Sequence, residues 1–103
     1  MAGLVIQVVS FEWDEDNERE CRYHGLTDKI VVEVNDRRPL YFLNKMGRTA
    51  THRMIGPDST GRYWMVAILP TRIRGCWRPI TGYPAAENEM ELYEEEIARL
   101  LRR

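Results

Sequence analysis

The run Tyr63-Trp64-Met65-Val66-Ala67-Ile68-Leu69 is apolar along its whole length, and turn signals bound it on both sides. Gly56-Pro57-Asp58-Ser59-Thr60-Gly61 precedes it, and Pro70 to Arg74 follows it. A strand with two apolar faces must be covered on both, which places this run at the centre of a sheet. Its flanks then become its partners. Thr51 to Ile55 and Gly75 to Thr81 complete a three-stranded antiparallel meander. Pro79 cannot donate to a ladder, so the last strand is expected to carry an edge or a bulge there, with the sheet ending near Pro79.

The cover for that sheet must come from the rest of a 103-residue chain, too short for two separate cores, so residues 1–103 are read as one domain. Leu4-Val5-Ile6-Gln7-Val8-Val9 is β-branched and nearly continuous in apolar character, and reads as a buried strand leading into Phe11-Glu12-Trp13. Asp14 then offers an N-cap, with Glu15, Asp16 and Glu18 suiting the positive end of a helix. That helix should stop at His24-Gly25, Gly25 taking the left-handed C′ position and Asn17, Cys21 and His24 forming the inward stripe. Thr27 can cap a second short helix through about Val34, although Ile30, Val31, Val32 and Val34 suit a strand equally well. Leu40 to Leu43 is either a short strand or an extended packing segment. At the C-terminus, Pro84 fits a first helical position, and Ala86, Met90, Tyr93, Ile97 and Leu100 share one face, with Glu95 four residues before Arg99. The expected class is α+β: a small antiparallel sheet, made of the meander plus an N-terminal strand, packed against two short N-terminal helices and one long C-terminal helix.

The net charge of −1 conceals a segregation. Residues 1–36 hold nine acidic and three basic side chains, and residues 83–103 hold six and three. Between them, residues 37–82 hold only Asp58 against Arg37, Arg38, Lys45, Arg48, Arg53, Arg62, Arg72, Arg74 and Arg78. Tyr41, Phe42, Tyr63, Trp64 and Trp77 are interleaved with these cations. Cations that attract phosphate beside aromatic faces that stack bases make a surface for single-stranded RNA; solvated arginines over core aromatics make the same pattern. No apolar run approaches the roughly 20 residues that span a bilayer, and the start lacks the basic n-region of a secretory signal, so the expected location is cytoplasmic. Cys21 and Cys76 have no CxxC partner and read as structural thiols. The Gly56–Gly61 turn lacks the residues of a phosphate-binding loop, and neither Asp14-Glu15-Asp16 nor Glu94-Glu95-Glu96 has the layout of a cation loop, so no metal or cofactor is expected.

Three features together carry a resemblance. Phe11-Glu12-Trp13-Asp14 is followed about ten residues later by His24-Gly25, and the chain closes on Arg78-Pro79-Ile80-Thr81-Gly82-Tyr83-Pro84-Ala85 with Glu89 and Tyr93. Over roughly residues 11–94 this layout resembles the BrnT-like toxins of type II toxin-antitoxin systems. The resemblance implies a RelE-like α+β domain that cuts RNA without a metal and is neutralised by a cognate ribbon-helix-helix antitoxin. The sequence departs from the family where basic residues are common: Asn17 after Phe-Glu-Trp-Asp, Tyr23 before His-Gly, and Tyr83 in the last motif. Those departures motivate the alternative of a domain that binds RNA or a protein partner without cleavage. A homodimer built on exposed tryptophans is a third possibility.

Cleavage through the 2′-hydroxyl needs a base, a cation for the developing charge and an acid for the leaving oxygen. Histidine exchanges protons near neutral pH, which makes His24 the candidate for proton transfer; placed before a C-cap glycine, it can instead meet the last helix carbonyls. Arg78, on which the family motif falls, and Arg53 are the candidates for holding the scissile phosphate, and either can instead serve a structural ion pair. Tyr83 is a candidate weak acid or stacking platform, or a packing contact ahead of the last helix. Arg62, Arg72 and Arg74 complete the expected RNA-binding set.

Overall fold

The structure is a computed structural model that describes residues 2–102. Its elements run β1 (Ser10–Phe11), α1 (Glu15–Tyr23), α2 (Asp28–Asp36), β2 (Leu40–Leu43), β3 (His52–Pro57), β4 (Tyr63–Pro70), β5 (Cys76–Pro84) and α3 (Glu87–Leu101). The class is α+β, as expected. The five strands form one sheet in the order β1-β5-β4-β3-β2, with the apolar run of β4 at its centre. Leu40–Leu43 is a true strand, antiparallel to β3. The sheet is mixed, not purely antiparallel, because β1 pairs with β5 in parallel.

The β-branched run Leu4–Val9 is not the buried strand it predicts; the N-terminal strand is the two residues that follow it. Only Ser10 and Phe11 pair with β5, at Cys76 and Trp77, and Leu4 makes a lone bridge to Tyr41 at the far edge of the sheet. Residues 4–9 therefore cross from one sheet edge to the other as an extended strap. Ile6 and Val8 turn toward the core while Val5 and Val9 face solvent.

What closes the β5 edge beyond Trp77 is α1. Asp14 caps this helix through its side chain, Oδ1 accepting from Asp16 N and Asn17 N, and Gly25 leaves it at φ +82°, as the sequence predicts. Asn17 and Cys21 are buried, the inner part of the expected stripe. Asn17 donates from Nδ2 to Glu12 O and to Pro79 O, each at 2.9 Å, and its Oδ1 accepts from Asp14 N at 2.8 Å. One amide thus completes the capping box and satisfies the carbonyl of the strand proline itself. Pro79 does mark a bulge, the register slipping between Ala67 and Ile68, but the strand continues past it to Pro84. The sheet does not end near Pro79: the bulge carries the strand past the proline, and Asn17 from α1 satisfies the Pro79 carbonyl. Replacing Asn17 with alanine is expected to cost about 2 kcal/mol, from three lost hydrogen bonds and a buried carbonyl left unpaired. A thermal melt checks this: the midpoint should fall by roughly 8–16 °C for a domain of this size.

The segment after Gly25 is a helix, α2, with Thr27 Oγ1 accepting from Ile30 N. Its buried residues Val31 and Val34 join Cys21, Leu26, Met54, Trp64, Val66 and Ile68 in the core on one sheet face. β-branched residues are compatible with this helix because their apolar face is needed on the sheet. Gly82 is required here: a Cβ would press on the Leu26 side chain and the Met65 carbonyl.

On the other face, Phe42, Ile55, Met65 and Ala67 pack with Leu92 and Tyr93 of α3. This helix starts later than predicted, at Glu87 with Ala86 as N-cap, and Pro84 belongs to the strand. Its buried face is also turned relative to the apolar stripe: the fully buried residues are Glu89 and Glu96, while Leu100 is exposed. Both glutamates are held. Tyr83 and the Ala86 amide donate to Glu89, whereas Gly3 N and Arg99 donate to Glu96. Arg99 therefore pairs with Glu96, not with Glu95. No helix among the described residues is long and apolar enough to cross a membrane.

Candidate functional site

Strand register decides which predicted residues meet. Arg53, Ala67 and Thr81 form one cross-strand row, and Ile55, Met65 and Tyr83 form the next. Both rows face α3. The first turn of α3 and the β2–β3 loop close over this part of the sheet and leave a cavity of about 240 Å³. Met65 and Ala67 make its apolar floor, Arg53, Thr81, Tyr83 and Glu89 its polar wall, and Lys45, Arg48 and Asn88 stand around it.

Each polar group is fixed by its own element. Arg53 is buried at 8% exposure, and its Nε and Nη2 donate to Leu43 O at 3.2 and 2.9 Å across the β2–β3 pair. Tyr83 donates its hydroxyl to Glu89 Oε2 at 2.9 Å. The other oxygen of Glu89 accepts from Ala86 N at 2.7 Å, which ties the strand-to-helix junction together. Burial raises the Tyr83 phenol above its ordinary range, and the Glu89 carboxylate adds to the effect, while Arg53 and Arg48 act in the opposite sense. Tyr83 therefore holds its proton at neutral pH and directs it to Glu89 Oε2.

His24 caps α1 beside this wall. Its ring meets the Tyr83 ring edge-on at 6.0 Å, and its Nε2 lies 3.3 Å from Glu20 Oε2. Glu20 Oε2 also accepts from Thr81 Oγ1 at 2.7 Å, and that hydrogen bond, with a smaller effect from His24, lowers the Glu20 carboxyl. An imidazole, a carboxylate and a hydroxyl thus run from α1 to the cavity wall at Thr81. His24 itself stands behind Tyr83 and Thr81, outside the cavity lining.

Arg78 is not brought to the cavity. It lies past the bulge, opposite Leu69, with Nη1 3.3 Å from Glu12 Oε1 and Nη2 2.9 Å from Asp14 Oδ2. The hydrogen bond from Arg78 is the main reason the Asp14 carboxyl is lowered. The guanidinium secures the cap of α1.

The central block of cations is divided by the length of β4. Arg72 and Arg74 sit on the β4–β5 turn, at the end of the sheet where the β2–β3 loop carries Lys45 and Arg48. Arg62 sits on the β3–β4 turn at the opposite end, over the Trp64 ring at 4.7 Å. The nine cations therefore form no single surface, and those beside the cavity are Lys45, Arg48 and Arg53.

Sequence reasoning selects Arg53 and Tyr83 from this wall, and it does not select Glu89, Glu20 or Thr81 as site residues. The signals for Glu89 are its place with Tyr93 in the closing motif of the resemblance and its position three residues after Ala86, where a capping-box glutamate falls. No group of three or more His, Cys, Asp and Glu side chains among the described residues is placed to hold a metal ion. Chemically, the cavity offers a guanidinium and two further cations for an oxyanion, and a phenol-carboxylate pair for proton exchange. No family model and no curated protein matches the sequence.

Proposed function

We propose that this chain is a BrnT-like ribonuclease toxin that cuts single-stranded RNA without a metal, with the Arg53–Tyr83–Glu89 cavity as its site. The observation that carries this reading is the meeting of Arg53, Arg48 and Lys45 with the Tyr83–Glu89 pair around one small cavity. In the proposed reaction the 2′-hydroxyl proton passes through the Tyr83 hydroxyl to Glu89. The O2′–phosphorus bond forms as the phosphorus–O5′ bond breaks, and the leaving oxygen takes a proton from Lys45 or water. Arg53 and Arg48 stabilise the charge that develops on the phosphate. His24 and Glu20 hold Tyr83 and Thr81 in place, and Arg78 positions α1. The reading places the protein in the cytoplasm under the control of a ribbon-helix-helix antitoxin.

A second reading, RNA or partner binding without cleavage, is favoured by one observation. The Arg53 guanidinium already donates to Leu43 O, and Arg78 is held between two carboxylates, so both arginines that the sequence offers to phosphate have structural duties. The two readings separate in one assay. Purified chain is incubated with single-stranded RNA in chelator and, in parallel, expressed without a partner protein. Cleavage with growth arrest supports the toxin reading; salt-sensitive RNA binding with neither supports the second.

A further inference from the structure

Away from the cavity, an open groove of about 580 Å³ runs between β1 and α2. Val9, Phe11, Trp13 and Val32 line it, with Val9 70% and Val32 46% exposed. The rim is acidic: Asp28, Glu33 and Asp36 stand against the single cation Lys29. Immediately beside the groove is the β4–β5 turn, joined to it by the hydrogen bond from Val9 N to Gly75 O at 2.7 Å. That turn carries Arg72-Ile73-Arg74, all exposed, with Ile73 at 69%.

One edge of the molecule thus presents an apolar residue between two cations next to an apolar groove between carboxylates. Two complementary patches side by side are what a two-fold axis requires, because the tip of each copy meets the groove of the other and both contacts form together. Opposite charge fixes the register, Arg72 and Arg74 facing the rim at Asp28 and Asp36. We infer that this groove is the docking face for a second copy of the chain, which seats Ile73 of its β4–β5 turn between β1 and α2. A second copy is favoured over a foreign partner because both halves of the contact are present on the same edge of one chain. The contact leaves the Arg53 cavity open and is independent of the ribonuclease reading.

Sedimentation velocity over a concentration series tests this. The wild-type chain is expected to pass from monomer to dimer, with the dimer weakened as salt rises. Ile73→Asp should raise the dimer dissociation constant about tenfold or more, and at concentrations where both proteins are monomeric its melting midpoint should match wild type, since Ile73 is exposed. Arg74→Glu should weaken the dimer in the same way, and Asp36→Arg added to it should restore affinity to within about threefold. A chain that remains monomeric up to about 0.5 mM, too weak for a specific contact, overturns the proposal and leaves the groove to a separate cationic partner. A dimer indifferent to Ile73→Asp also overturns it.

Discussion

Asp58→Ala is expected to lower the folding stability by about 3 kcal/mol. Asp58 opens the β3–β4 turn and is only 6% exposed. Its Oδ1 accepts from Thr60 N at 2.8 Å, Thr60 Oγ1 at 2.6 Å and Arg62 N at 3.1 Å, while Oδ2 accepts from Trp64 Nε1 at 2.9 Å. The carboxylate therefore shapes the turn with one oxygen and satisfies a core tryptophan, 1% exposed, with the other. Removing it strands the indole N–H in the interior. Asp58→Asn is no rescue, because an amide in that place must present a donor either to the indole or to the Thr60 donors.

The same residue gives a pH dependence of defined sign. Burial alone would raise the Asp58 carboxyl, but the hydrogen bonds from Thr60, Trp64 and Arg62 outweigh it and bring the pKa from 3.8 to about 2. A carboxyl depressed in the folded state stabilises fully above its unfolded value, and that stabilisation disappears as pH falls through the window from about 4 to 2. Its size is on the order of 2 kcal/mol. Denaturant midpoints measured from pH 7 to 2 check both statements: wild type should lose stability steeply in that window, and Asp58→Ala should start lower and fall less. Superimposable midpoints for the two proteins would remove Asp58 from the account.

The second large effect concerns the cavity. Glu89→Gln is expected to slow RNA cleavage by about 10²-fold while RNA binding stays within about threefold. Glutamine can still accept from the Ala86 amide, as capping boxes with Gln do, so the strand-to-helix junction is preserved. It cannot take up a proton from the Tyr83 hydroxyl. Tyr83→Phe should cost a similar factor, and the double variant little more than either alone, because the two groups act as one relay. Arg78→Ala is the control: it should leave cleavage within about threefold and lower the melting midpoint by only a few degrees, since its ion pairs are partly exposed. Single-turnover rates and filter binding separate the effects.

Much of the scaffold was legible because its signals are local. An unbroken apolar run between two turns defines β4, and Asp14, Gly25 and Thr27 mark helix ends by chemistry that acts within three residues. The N-terminal run misled for a reason outside its own residues. Val5, Val8 and Val9 suit a strand, but β1 runs parallel to β5 and β5 begins only at Cys76, opposite Ser10, so the residues before Ser10 have no β5 strand beside them. In α3 the apolar stripe pointed about one position away from the true inner face, since Glu89 and Glu96 are buried by partners at Tyr83 and Gly3 that no helical period reveals.

The candidate site divides in the same way. Arg53 was legible as a cation within an apolar strand, and Tyr83 as a phenol at a junction. Glu89, one of six glutamates in the last segment, stands out only through the closing motif, and nothing in its spacing separates a proton acceptor from a solvated carboxylate. Arg78 shows the converse. Its motif drew attention to it, but Glu12 and Asp14, more than sixty positions earlier, engage its charge.

The central claim is that the cavity cuts RNA through the 2′-hydroxyl, and the ends of the products test it most directly. Purified chain incubated with single-stranded RNA in excess chelator should yield 2′,3′-cyclic phosphate and 5′-hydroxyl ends by mass spectrometry, with a 2′-deoxy substitution blocking the cut and Glu89→Gln slowing it. Intact RNA, or products ending in 3′-hydroxyl and 5′-phosphate groups, would contradict the account.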